Sequence, residues 1–102
     1  MAKVEEHCED CKRELGDRFL HVNEWLDELF QFVGADHRDI RHNTKGVEKV
    51  RKMWGDLAAS AAEIHIKRDC HGSIPKVDNV FMTRMAFKPH IYQAFLKEYE
   101  DD

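Results

Sequence analysis

Only two prolines and five glycines occur in 102 residues, and no tract of Pro, Ser or Gln interrupts the chain. Collagen-like and linker-like sequences are thereby excluded. Disorder is disfavoured as well, because Leu, Ile, Val and Phe recur along the whole length. No apolar run approaches the ~20 residues needed to cross a bilayer. The opening MAKVEEHCED is too polar and acidic for a secretory signal, so the expectation is a cytoplasmic protein without a membrane partner. Positive charge is also scarce. Sixteen Lys and Arg against 20 Asp and Glu give a net charge of −4, which offers no basic field to a phosphate backbone and disfavours nucleic acid. Cysteine occurs three times, an odd count that points to reduced thiols or metal ligands rather than a disulfide framework. What is abundant is histidine, with seven residues.

Glycines 16, 34, 55 and 72 each close a stretch of helical periodicity, as glycines just past helix ends do. Val4, Cys8, Cys11 and Leu15 form one stripe of a first helix ending near Gly16. The C-x-x-C spacing occurs in zinc sites and in thiol redox motifs, but no matching second half for a zinc site is present and the stripe puts both thiols in the core, so they read as core residues. Phe19, Val22, Leu26, Leu29, Phe30 and Val33 predict a second helix from Asp17 or Asn23 to Val33, with Asn23 as an internal cap. Asp36 caps a third, with Ile40, Val47, Val50 and Trp54 on its stripe and Gly46 allowing another backbone to approach. Asp56 caps a fourth, whose Ala58, Ala61, Ala62, His65 and Asp69 share a face. Ser73-Ile74-Pro75 is a turn or extended stretch, and Pro89 opens a C-terminal helix over 89–99. The expected architecture is all-α, four to five helices in an irregular bundle, as one helical domain over residues 1–102.

Two clusters carry the chemistry. His37 and His42 bracket a run rich in charge, but five residues separate them by about 140° on a regular helix. They can meet only if the half-helical start at Asp36 or a π-bulge near His42 realigns the rings. His65 and Asp69 are four apart, neighbours on one helix face. Their nitrogen and oxygen suit either one metal ion or one His-Asp hydrogen bond. Asp27, between apolar positions on the second helix, could join them from a third element. Such a mixed N/O set suits Zn, Fe, Mn or Ni as a divalent transition metal, whereas Cu(I) would call for thiolates.

The order Phe19-Leu20-x-Val22, Trp25-Leu26-Asp27, His37-Arg38-x-Ile40-Arg41-His42, Gly46, Trp54-Gly55, Glu63-x-His65-Ile66-x-x-Asp69 and Gly72-x-Ile74-Pro75 resembles a family of small His-rich proteins from bacteria and phages, itself of unknown function. The resemblance runs from about His7 to Asp78 and keeps His7, Asp27, His37, His42, His65 and Asp69 in place. It implies that these six share one polar site, and it implies no reaction. Asn23 and Asn43 stand where the family tends to have histidine.

Two function classes follow. The first is a small cytosolic metal-binding helical domain, extended to a metal-dependent phosphoester hydrolase in which Asp27 or Glu63 serves as base. It is similar to the His-Asp phosphohydrolases in its clustered residues but lacks their adjacent His-Asp dipeptide. The second is a bacterial or phage interaction or inhibitor module whose His/Asp cluster is a structural hydrogen-bond network. A small molecule or a protein is the expected partner, and homo-oligomerisation is compatible with either class. A basic edge of Arg38, Arg41, Lys45, Lys49, Arg51 and Lys52 would be the nucleic-acid alternative, diluted by Asp39 and Glu48.

Overall fold

The computed structural model describes residues 3–100, which are helical throughout apart from turns and one extended connection. Helix α1, Val4–Leu15, ends in the left-handed Gly16, whose N–H returns to the Lys12 carbonyl. Helix α2, Leu20–Asp27, and the single turn α3, Phe30–Val33, occupy the stretch expected to be one helix. The break has a tertiary cause. Arg41 Nη1 takes the Trp25 carbonyl at 2.6 Å and a His42 ring nitrogen takes the Leu26 carbonyl at 3.0 Å, two acceptors that a continuing helix would need.

The segment after Asp36 also divides. A 3-10 turn, Gly34–Asp36, leads into α4, His37–Arg41, and α5 follows as Thr44–Trp54. Asn43 makes the junction by serving both ends. Its amide nitrogen donates to the Asp39 and Ile40 carbonyls at 3.1 Å each, and its side-chain oxygen accepts from Gly46 N–H at 3.0 Å. Gly46 is required there, because a Cβ would lie 1.8 Å from the Arg41 carbonyl oxygen. Of the two devices that could realign His37 and His42, no π-bulge occurs at His42, and the chain enters α4 through the 3-10 turn ending at Asp36, which makes no side-chain cap. Gly55, at φ 95°, turns the chain into α6, Asp56–Asp69.

Helix α6 is the central element. Its buried Ala58, Ala59, Ala61 and Ala62 let α1, α2 and α5 approach closely, around a core completed by Cys11, Val22, Leu26, Val47, Val50 and Ile66. Cys8 and Cys11 are buried free thiols, as the stripe required. A second apolar cluster joins α4 to α7, Asn79–Met85, and α8, Pro89–Glu98, through Ile40, Phe81, Met85, Ile91, Phe95 and Tyr99. Asp78 caps α7 by accepting from Phe81 N–H at 2.9 Å.

The class is all-α, but the expected four to five helices undercount it. Among the described residues there are six helices of seven residues or more, with short turns between them. The sixth is α7, which lies in a stretch where no helix was expected, while the two tertiary breaks add only the short α3 and α4. No described helix is long and apolar enough to cross a membrane.

Candidate metal centre

Four elements deliver the polar cluster. Helix α1 supplies His7, the last turn of α2 supplies Asp27, α4 and the break after it supply His37 and His42, and α6 supplies His65 and Asp69. Pairing across helices is close. Asp27 Oδ1 lies 3.1 Å from His65 Nε2, 3.3 Å from His37 Nε2 and 3.5 Å from His42 Nε2. Asp69 Oδ2 lies 3.3 Å from His7 Nε2, 3.4 Å from His65 Nε2 and 3.7 Å from His42 Nδ1. Asp27, His42, His65 and Asp69 each offer a donor atom within 4.8 Å of the other three. His37 and His7 flank this quartet on the Asp27 and Asp69 sides.

His37 opens α4 and His42 ends it, still hydrogen-bonded to the Arg38 carbonyl, and their side chains reach one place, with ring centroids 4.8 Å apart and planes at 76°. His42 in turn meets the His65 ring edge-on at 5.0 Å, while His7 stacks on His65 at 3.5 Å with planes only 13° apart. All four rings are buried, and the Asp27 side chain keeps 11% of its surface exposed against 1% for Asp69. Asp27 therefore forms the link to solvent. It lines a cleft of about 420 Å3 together with Val4, Glu24, Glu28, Phe30 and Gln31.

For His37, His42 and His65 the outer nitrogen identifies where one hydrogen sits. His37 Nδ1 faces the Gly34 carbonyl at 2.9 Å, and His42 Nε2 faces the Leu26 carbonyl at 3.0 Å. Carbonyls only accept, so both nitrogens carry hydrogen. His65 Nδ1 faces Asn23 Oδ1 at 2.8 Å. The Asn23 amide is oriented by its nitrogen donating to the Arg18 and Phe19 carbonyls at 3.0 and 3.1 Å, which fixes its oxygen toward His65. His65 Nδ1 must therefore donate. In neutral rings the remaining nitrogens, His37 Nε2, His42 Nδ1 and His65 Nε2, present bare lone pairs to the two carboxylates.

Electrostatics sharpen the conflict. Burial alone would raise Asp27, yet His37, His42 and His65 hold its carboxyl far below the usual carboxylate range. Asp69 is depressed likewise, with His65 and His7 outweighing burial. Burial pulls His65 down, but its two carboxylate neighbours reverse the sign and raise it. For His42 burial prevails, and His65 and His37 add to it, so its ring is driven toward the neutral form. Several contacts are also unsatisfied. Both oxygens of Asp69, both ring nitrogens of His7 and Nδ1 of His42 are buried without a hydrogen bond of acceptable geometry. The 3.3 Å His7–Asp69 contact is thus one of distance and charge only.

These separations are long for charge-assisted hydrogen bonds, which run near 2.7–2.9 Å. They match the edges of a coordination shell, since ligands bonded tetrahedrally at about 2.1 Å stand about 3.4 Å from one another.

Of the residues singled out in the sequence, Asp27, His37, His42, His65, Asp69 and His7 converge. Glu63 does not. It lies in a separate cleft with Thr44, Glu48 and Arg51, so Asp27 alone of the two candidate bases adjoins the rings. The orienting role of Asn23 was not foreseen. Its signal was an amide on an otherwise apolar helix face beside Val22 and Leu26.

Comparison with curated proteins and with solved structures returns no match. A family model spans nearly the whole chain, matching residues 2–91, and the chain belongs to that family, described as Domain of unknown function (DUF6915).

Proposed function

We propose that the protein binds a divalent transition metal, Zn, Fe, Mn or Ni, in a buried centre made by Asp27, His42, His65 and Asp69, with His37 and His7 completing it. The observation that carries this reading is the tautomer pattern. Three imidazoles use one nitrogen to donate to a fixed acceptor and turn the other toward two ionised carboxylates. A lone pair opposite a carboxylate is repulsive until a cation lies between them, and outer-shell acceptors of this kind are what orient metal-ligating histidines. Protons are the competing cation. A proton on His65 would let its Nε2 donate to Asp27 at 3.1 Å, but it would leave Nδ1 of His42 and both nitrogens of His7 buried without partners.

The mixed N/O donor set favours borderline ions over Cu(I). The acidic mouth, with Glu24 and Glu28 beside Asp27, provides an entry path that draws cations. The same mouth repels a phosphoester, so the hydrolase reading has no anion-binding feature to support it there. Elemental analysis of protein purified without an affinity tag tests the proposal. We expect at least one equivalent of a first-row metal in the wild type, and loss of both the metal and its contribution to thermal stability in His65→Ala. A metal-free wild type that takes up none on addition of Zn2+ or Mn2+ overturns the reading. The cluster would then be a structural network, and His65→Ala would cost only the roughly 1–3 kcal/mol of orphaned buried partners.

A further inference from the structure

We infer that the cluster is built for two metal ions about 3.5–4 Å apart, bridged by Asp69, with His7 a ligand of the second; this rests on the metal-binding reading above. The argument begins with the stacked pair. An imidazole lone pair lies in the ring plane, and the planes of His7 and His65 are nearly parallel with centroids 3.5 Å apart. An ion midway between them would stand about 1.75 Å out of each plane. On a bond of about 2.1 Å that is more than 50° from the lone-pair direction, too far for good ligation. The two rings therefore address separate ions, and the stacking distance sets a spacing that matches two-metal sites.

Asp69 supplies the bridge. Both of its oxygens are buried and lack a hydrogen-bond donor, and Oδ2 lies 3.3 Å from His7 Nε2 and 3.4 Å from His65 Nε2. Oδ2 faces both rings, and a single carboxylate oxygen between two ions can bridge them without any other donor. His7 itself is the strongest sign of a second site. It is fully buried in α1 with neither ring nitrogen hydrogen-bonded, a state that a purely structural position would avoid by carrying an apolar residue. The four rings divide evenly. His65 and His37 gather on Asp27, while His7 and the unpaired Nδ1 of His42 gather on Asp69. One ion thus has His37, His65, Asp27 and the shared Asp69, and the other has His7, His42 and Asp69; His42 is assigned by its unpaired Nδ1, since its Nε2 is taken by the Leu26 carbonyl. Two carboxylates balance one divalent ion fully and two only by half, so the second ion binds more weakly than the first.

The test is calorimetric titration of chelator-stripped protein with Zn2+, paired with elemental analysis after desalting. We expect two equivalents in two steps for the wild type and one for His7→Phe, which keeps a ring in the stack. Circular dichroism checks that the variant is folded. A wild-type stoichiometry of one overturns the second ion and leaves the metal-binding reading intact, whereas a stoichiometry of zero overturns both. Two equivalents retained by folded His7→Phe overturns the assignment of His7. Electron paramagnetic resonance of the wild type loaded with Mn2+ gives a result independent of any variant. A spin-coupled multiline spectrum supports a pair at this spacing, and an isolated six-line Mn2+ signal at full loading overturns it.

Discussion

Asn23 acts on the centre without facing either carboxylate. Its amide nitrogen is held by the Arg18 and Phe19 carbonyls and its oxygen receives the proton of His65 Nδ1, so it decides which nitrogen of His65 is bare. Replacing it by Ala frees the ring to rotate or to change tautomer. The expected outcome is a fold that persists and a Zn2+ affinity lowered by roughly 10–100-fold, the usual cost of losing an outer-shell partner, read by competition with a chromogenic chelator. An unchanged affinity would show that packing against His7 alone orients His65. At this scale the sequence was partly legible. The i, i+4 spacing of His65 and Asp69 announced their adjacency because a helix enforces it. The roles of Asn23 and of the Gly34 and Leu26 carbonyls were hidden, because they depend on which backbone a folded ring happens to meet.

At the scale of elements, the junction between α4 and α5 matters most, since it seats the end of α4, and His42 with it, against the Leu26 carbonyl and the rings of the centre. Gly46 makes the break compact. Gly46→Ala places a methyl against the backbone oxygen of Arg41, which cannot yield as a flexible side chain would. Thermal denaturation is expected to register a loss of about 1–3 kcal/mol or more, together with weakened metal binding because His42 moves with the junction. Helices α1 and α6 are joined separately, by Asp10, which meets Arg68 at 2.8 Å and Arg13 at 2.7 Å. Burial opposes, but the two guanidiniums hold the Asp10 carboxyl below its ordinary value. A depressed carboxyl contributes stability that is present above the unfolded pKa near 3.9 and lost as pH falls through the folded value. Asp10→Asn is therefore expected to be less stable than wild type by up to about 1 kcal/mol at pH 7, screened by the exposure of both arginines. The gap should close below about pH 4. Equal stabilities at both pH values would remove the clamp.

The glycine-ended stops of α1 and α5 were readable because their signals are local: Gly16 is left-handed and Gly55 has positive φ. The division of α2 from α3 was not, for its cause is capture of carbonyls by Arg41 and His42 from another element. Helix α7 escaped because Phe81 and Met85 are its buried positions while Val80 and Phe87 nearby are exposed, which blurs the amphipathic stripe that periodicity detects.

For the whole molecule, the centre ties together α1, α2, α4 and α6, while the cluster of Ile40, Phe81, Met85, Ile91, Phe95 and Tyr99 holds the C-terminal helices to α4. An ion bound only by the native arrangement stabilises that arrangement as a unit. At a free ion concentration 100 times its dissociation constant the gain is about 2.7 kcal/mol. For a chain of this size that is a melting shift on the order of 10 °C. Melting in Zn2+ is thus expected to exceed melting in chelator by that order, and His65→Ala should abolish the difference. A shift that survives the substitution would place the stabilising ion elsewhere.

The slight exposure of Asp27 beside fully buried rings has a kinetic meaning. Of the proposed ligands only Asp27 reaches water, so a bound ion would not leave by swapping protein donors for water one at a time from an open face. Departure has to wait for the last turn of α2 to lift away from α4, where Arg41 and His42 grip its carbonyls. On the proposed metal-binding reading, the lifetime of a bound ion would then be set by opening of that helix end. An external chelator, however concentrated, can harvest ions only at the frequency of that opening.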